Sequence, residues 1–460
     1  MCPATSCATI RPVKTLIENL DYVVTDTGVL ENCNILIEGT RITSIRPAGP
    51  DAGQDAGSGS SGPSEVSRTI SGRGRAAVAG LKNAHTHAAM TLLRGYGDDM
   101  KLQPWLENLI WPAEGKLTPE DVYWGTRLAA IEMIRSGTTF AHDMYFYPEE
   151  VVRAFRDSSM RAAVGLALFD FGDPENRRAQ QQNVESFLRE YGTMPGAGDR
   201  VFLTMAPHSV YTCSPELLVW AAEVAEAQGL VYHTHMNETQ HEVEQCVSAH
   251  GVRPFVHLDS IGVLERVGSK TVAAHTIWLD EAELDLVSRH GVTVVHNPAS
   301  NMKLSSGCFP WKELHERGVP MMLAPDGVAS NNSLDMFDEM KLAALLQKHH
   351  YGDPTLLPAA ETLAVATGER STVFRSHGVG GALVEGGPAD LVLVDVTAPR
   401  MTPTHNLVSN LVYAADSSIV DTVICDGELL MADRSVAEEE TVVAEASRCA
   451  AALVRRARSG

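Results

Sequence analysis

The stretch Ala77-Val-Ala-Gly-Leu-Lys-Asn-Ala-His-Thr-His87 runs a short apolar segment into a pair of histidines. An apolar run this short, flanked by glycine and closed by polar residues, reads as a buried strand. Runs of the same kind recur downstream. Counting 77–83, the set continues with 138–144, 161–169, 201–207, 230–235, 271–278, 293–298 and 320–325. Amphipathic helical patterns separate them, as over 119–135, 215–228 and 280–290. Alternating strands and helices predict a parallel sheet with helices outside. Eight such units in roughly 250 residues match the count and size of a TIM barrel.

Outward from the barrel, both ends of the chain turn β-rich. Thr15-Leu-Ile-Glu-Asn19, Tyr22-Val-Val-Thr-Asp26 and Asn34-Ile-Leu-Ile-Glu38 are β-branched runs set apart by turn residues. Gly387-Pro-Ala-Asp-Leu-Val-Leu-Val-Asp395 and residues 420–426 return to strand character. The expected class is therefore α/β: a (β/α)8 TIM barrel with a small β-sandwich domain formed by both chain ends. Residues 14–76 form the N-terminal part of that composite domain, 77–380 the barrel, 381–435 the C-terminal part and 436–460 a helical tail. Residues 49–65, rich in Gly, Ser, Pro and Asp, read as a surface loop.

Composition narrows the classes of function. Of 460 residues 44% are hydrophobic, enough for a large core. The formal charge of −21 repels phosphate backbones and anionic lipid, so neither nucleic acid nor a membrane is expected as a partner. No apolar stretch has the length of a membrane span or a signal peptide. The eight cysteines form no Cys-x-x-Cys pair, which argues against a zinc ribbon and fits reduced thiols in the cytoplasm.

In a barrel of this type the reactive groups sit at the C-terminal ends of the strands. The first run ends in His85-Thr86-His87, the fourth in His208, the fifth in His235 with Glu238 three residues on, the sixth in His275 and the eighth in Asp326. Residues i and i+2 of a strand share a face, so His85 and His87 lie roughly 6–7 Å apart and point the same way. Imidazoles with a carboxylate suit a divalent metal such as zinc or iron. On spacing alone His233 competes with His235 for the ligand role; a packed, hydrogen-bonded histidine is the favoured reading of His233, and of His142 and His296.

Several motifs carry a family resemblance. Gly80 to Gly95, Ser136-Gly-Thr-Thr-Phe140, Asp143-Met-Tyr145, Ala206-Pro-His-Ser-Val-Tyr-Thr-Cys213, His235-Met-Asn-Glu-Thr239, Ala274-His275, His296 to Leu304 and Asp326 to Asp335 together resemble the amidohydrolase superfamily, in its cytosine deaminase-like and chlorohydrolase-like branch. Residues 87–96, Trp105-Leu106 and Ile110-Trp-Pro-Ala-Glu114 are most similar to deaminases of 5'-methylthioadenosine and S-adenosylhomocysteine. The resemblance implies one divalent metal per subunit, zinc or else iron, held by His85, His87, His235 and Asp326. It implies Glu114 on the ribose hydroxyls, His208 on purine or sugar, Glu238 protonating purine N1, and His275 and Asp326 holding the attacking hydroxide. Trp105 is a candidate for substrate stacking, and Arg178 or Arg177 for a substrate carboxylate. A homo-oligomer is usual in such enzymes.

Two features depart from the pattern. Ala324-Pro325 replaces the usual Gly-Thr before the final aspartate, and His142 stands where a small residue is usual. The chain also offers no second arginine near 166–169, which favours small 5'-substituents over homocysteine. Other readings are deamination of guanine, a pterin or cytosine, triazine dechlorination, and a non-catalytic scaffold. Glu114 argues against a free base, which has no ribose diol. The complete ligand set argues against a scaffold. The His-x-Glu with Pro-Cys-x-x-Cys signature of nucleic-acid-editing deaminases is absent.

Overall fold

The computed structural model describes residues 13–49, 66–193 and 200–459. Eight strands form one sheet in sequence order: β1 (Leu81–Thr86), β2 (Thr138–Tyr145), β3 (Arg161–Leu168), β4 (Val201–Pro207), β5 (Tyr232–Met236), β6 (Thr271–His275), β7 (Thr293–His296) and β8 (Met321–Leu323). Every neighbouring pair is parallel. Helices connect the strands, and β8 returns beside β1, so the barrel is nearly closed. Local sequence sets the helix starts. Pro119–Arg135 opens on a capping box between Thr118 and Asp121, with proline in the first turn, and buries Val122, Ala129 and Met133. The barrel floor is filled by Phe140, Phe202, Phe374 and Val379.

The first expected strand, 77–83, is divided. Residues Arg75–Ala79 belong to the other sheet, and the barrel begins at Leu81. Gly80 makes the crossing: a Cβ there would lie 2.3 Å from the Thr139 hydroxyl oxygen. The crossing moves the domain boundary from 76/77 to Gly80, because one unbroken apolar run serves two sheets.

The chain ends pair into one nine-stranded sheet. Its order is Ser435–Val436, Glu428–Ala432, Val420–Cys425, Leu391–Asp395, Arg75–Ala79, Lys14–Thr25, Gly28–Glu38 and Arg41–Pro47, with Arg68–Ser71 also on Lys14–Thr25. Ile17, Leu20, Val23, Ile35, Leu391 and Leu393 form its core. The runs at 15–19 and 22–26 are one strand with a bulge, where Asn19 takes a φ of 58°. The tail begins as strand Ser435–Val436 and becomes the helix Glu439–Arg458, tied to Pro119–Arg135 by Arg135–Glu439 at 2.8 Å. The loop expected over 49–65 lies, apart from Gly49, outside the described residues. No helix among the described residues is long and apolar enough to cross a membrane.

Candidate active site

The C-terminal ends of the barrel strands bring the expected ligands together. The Nε2 atoms of His85 and His87 lie 3.2 and 3.4 Å from one oxygen of Asp326, and Nε2 of His235 lies 3.3 Å from Nε2 of His87. The ligand atoms of His85, His87 and His235 all fall within 4.8 Å of one another, as do those of His85, His275 and Asp326. Each ligand ring is held through its other nitrogen. His87 Nδ1 donates to the Met144 carbonyl at 2.7 Å and His235 Nδ1 to the His208 carbonyl at 2.8 Å. His85 Nδ1 lies 2.9 Å from His233 Nε2. This leaves the Nε2 lone pairs of His87 and His235 free beside Nε2 of His85, which is buried and has no hydrogen-bond partner. Such a donor set fits a divalent cation of the zinc type.

The remaining oxygen of Asp326 accepts from Ser300 Oγ at 2.7 Å and Ser330 Oγ at 3.1 Å, and lies 4.0 Å from His275 Nε2. Burial alone would raise the Asp326 carboxyl, but the facing rings of His85, His275 and His87 hold it well below the usual range. His275 Nδ1 is fixed by Asn301 Oδ1 at 2.9 Å, and its Nε2 lies 3.8 Å from Glu238. Burial pulls His275 down, yet the carboxylates of Glu238 and Asp326 outweigh it and raise its proton affinity. Glu238 is raised as well, chiefly by burial.

A cavity of about 420 Å³ opens over these groups, a size ordinary for small-molecule sites. Glu114, His208, Trp105, Glu238, His275 and Asp326 all line it. Tyr145 donates to Glu114 at 2.8 Å, and burial pushes the Glu114 carboxyl up to about 7. Burial takes His208 down to about 3, so its ring is neutral; its Nδ1 lies 3.1 Å from Thr212 Oγ1. Trp105 donates its indole N–H to the Gly97 carbonyl at 3.0 Å and turns its ring to the cavity.

Arg178 does not join this group. It is exposed on the helix Pro174–Tyr191, away from the lining, while Arg177 is held by Ser214 Oγ at 3.1 Å and Asp170 at 3.5 Å. Among the described residues no lysine or arginine lines the cavity; that wall is aromatic, built by Trp111, Phe146, Phe169 and Phe171. The expectation of a cationic carboxylate site is corrected on this ground. His233, His142 and His296 are fully buried and lie outside the lining. Sequence reasoning passed over Tyr145, Ser300, Ser330 and Asn301, although each lies inside a motif it quoted. Nothing in the local sequence marked Phe171 as part of the wall.

An eight-stranded parallel barrel with three histidines and an aspartate converging at its mouth, able between them to hold a metal ion, is the architecture of the amidohydrolases. The amidohydrolase family model matches residues 76–430, and the chain belongs to this family. A 5'-deoxyadenosine deaminase of Methanoregula boonei is 48% identical over 397 residues, covering 86% of this chain and 88% of that protein. A 5-methylthioadenosine/S-adenosylhomocysteine deaminase of Archaeoglobus fulgidus is 42% identical over 435 residues, covering 94% and 97%. The crystal structure of an adenosine deaminase from Xanthomonas campestris with bound zinc superposes with a TM-score of 0.86 at 34% identity, covering 97% and 99%. The chain is thus a hydrolytic aminohydrolase whose curated relatives are adenosine-type deaminases.

Proposed function

We propose that this enzyme is a zinc-dependent deaminase of adenine nucleosides with a small, uncharged 5'-group, such as 5'-deoxyadenosine or 5'-methylthioadenosine. One observation carries the choice: the cavity that holds Glu114, Glu238 and the ligand cluster has an aromatic wall and, among the described residues, no lysine or arginine in its lining. A homocysteine tail would bring its charged end against the aromatic wall of Trp111, Phe146, Phe169 and Phe171 with no lysine or arginine among the described lining residues to pair its carboxylate, a costly burial. His85, His87, His235 and Asp326 would hold the metal, which supplies a nucleophile at neutral pH by lowering the pKa of a water.

The protein groups do the rest. Glu114, when ionised, accepts from the two ribose hydroxyls and orients the nucleoside. Glu238, kept protonated more readily by burial, delivers a proton to purine N1, which makes C6 electrophilic. His275, steered by Asn301, presents Nε2 toward Glu238 and Asp326 and orients the attacking water. The Asp326 oxygen cradled by Ser300 and Ser330 takes the proton of that water and passes it to the leaving amine. Ammonia leaves as the C6 hydroxyl gives its remaining proton back to Glu238, which forms the carbonyl of an inosine-type nucleoside and restores the acid.

The test is ammonia release by the zinc-loaded protein on 5'-deoxyadenosine, 5'-methylthioadenosine, adenosine, S-adenosylhomocysteine, guanine, cytosine and atrazine. The highest kcat/KM is expected on one of the first two. Highest turnover on S-adenosylhomocysteine would overturn the reading of the 5'-wall. Turnover confined to a free base or to atrazine would overturn the nucleoside assignment.

A further inference from the structure

The three histidines of the ligand cluster are not held alike. His87 and His235 give their Nδ1 protons to backbone carbonyls, which can only accept and so leave each Nε2 lone pair free. His85 instead faces another side chain, Nε2 of His233 at 2.9 Å. A histidine nitrogen either donates or accepts, so the tautomer of His85 depends on that of His233. His233 precedes His235 by two residues on β5 and is fully buried in the barrel. Its ring stacks on His142 from β2, with centroids 3.7 Å apart and planes at 25°, and His142 Nε2 lies 3.1 Å from Thr204 Oγ1 of β4. On its far side His142 meets Phe374 of the barrel floor, at 4.9 Å between ring centroids. The two imidazoles thus form a layer between the ligand cluster and the floor, and Nδ1 of His233 is buried with no hydrogen-bond partner.

We propose that His233 is a positioning residue for the metal: by accepting from His85 Nδ1–H it selects the tautomer in which His85 Nε2 can ligate. In the competent state His85 carries its proton on Nδ1 and His233 on its own Nδ1. In the opposite state His233 donates from Nε2 to His85 Nδ1, and His85 Nε2 carries its proton toward Asp326, 3.2 Å away, where it blocks ligation. Each ring is neutral with one proton in both states, so the exchange is proton-balanced. The stack on His142 holds the His233 plane in place. This inference rests on the metal-binding reading of the site and not on any substrate.

The experiment is competition for zinc between the full-length protein and a chromophoric chelator. His233→Leu should weaken zinc 10–100-fold, as loss of a partner that orients a metal ligand does. His233→Gln, which keeps an acceptor oxygen, should recover most of the affinity. His142→Phe, which keeps a stacked ring, should stay within about threefold of the parent. Zinc binding by His233→Leu within about twofold of the parent overturns the proposal, as does equal weakening in the Leu and Phe variants or no recovery with Gln. The 15N spectrum of the zinc-loaded parent, with labelled histidines, decides the matter even if a variant fails to fold. A proton on His233 Nδ1 is expected, and one on Nε2 overturns the proposal. A parent protein that binds no zinc would instead refute the metal reading itself.

Discussion

Glu238 is buried and Glu114 half-buried in one cavity, and the loss of water makes each hold its proton more tightly than a free glutamate. The two tasks ask opposite things of that shift. In the proposed mechanism Glu238 carries a proton to the ring, so a raised value helps it. Glu238→Gln should lower kcat by about 10²–10⁴ with zinc content unchanged, and a variant of near-parental kcat would remove Glu238 from the chemistry. In the same proposal Glu114 must be ionised to accept from both ribose hydroxyls. With its carboxyl at about 7, the protonated form dominates below that pH and the ionised form above it. KM for 5'-deoxyadenosine should therefore fall as pH rises through about 7, and 2'-deoxy analogues should lose most of that dependence. Steady-state kinetics across the range check both, and a KM flat with pH would separate Glu114 from the sugar. Both glutamates were legible in the sequence, Glu238 by its offset from a strand-end histidine and Glu114 by its motif. Tyr145, which shares the proton environment of Glu114, was not, because its role depends on a contact between β2 and the segment after Trp111.

At the scale of elements, the strand ends place the chemistry by leaving the sheet abruptly. Asn237, His275 and Asp326 take φ values of 51°, 67° and 68°, a left-handed conformation that costs non-glycine residues of order 1–3 kcal/mol each. Surrounding contacts hold them there. After β5, both oxygens of Glu242 accept backbone N–H groups, from Asn237 at 3.0 Å and Glu238 at 2.8 Å, while Asn237 Nδ2 donates to Glu283 at 3.0 Å. Glu242→Ala would orphan two buried N–H groups, at about 1–3 kcal/mol apiece. Thermal melts should show that loss, and kcat should fall more than KM rises, because the turn aims Glu238. Glu242→Gln keeps one acceptor oxygen and should fall between. An unchanged kcat in the Ala variant would show that the turn is held without this carboxylate. The strand ends were readable because polar residues close apolar runs. The clamp was not, since Glu242 reads as an ordinary first-turn acid of the helix Gln240–His250. Arg178 failed for a related reason: proximity in sequence to the end of β3 does not say which side of Pro174–Tyr191 faces the cavity.

Across the whole molecule, the barrel floor and the composite sheet are joined by buried charge. Asp390 accepts from Lys82 Nζ at 3.3 Å, from Arg161 Nε at 3.2 Å and from the Asp426 backbone N–H at 2.6 Å; Lys82 also donates to Thr139 Oγ1 at 2.7 Å. Lys82 and Asp390 are almost wholly buried, so neither can turn to water if its partner goes. The sequence displayed the Gly387–Asp395 hallmark and the two β-rich ends but not this joint, because Lys82 and Arg161 lie on two barrel strands and Asp390 just ahead of Leu391–Asp395, all far apart in the chain. Asp390→Ala should destabilise the fold by about 3–5 kcal/mol, the usual consequence of stranding a buried charge. The site sits at the opposite end of the barrel, so folded Asp390→Ala at low temperature should keep parental zinc content and KM. The acid limb carries a sign of its own. Burial would raise the Asp390 carboxyl, but Lys82 and Arg161 outweigh it and hold it below the usual range. Its contribution is complete above about pH 4, the ordinary value for an aspartate, and is lost as pH falls through the depressed folded value. Melts of parent and Asp390→Ala should therefore differ most above about pH 4 and converge in stronger acid. A gap that stays constant in acid would mean that the carboxylate charge is not what joins the two units.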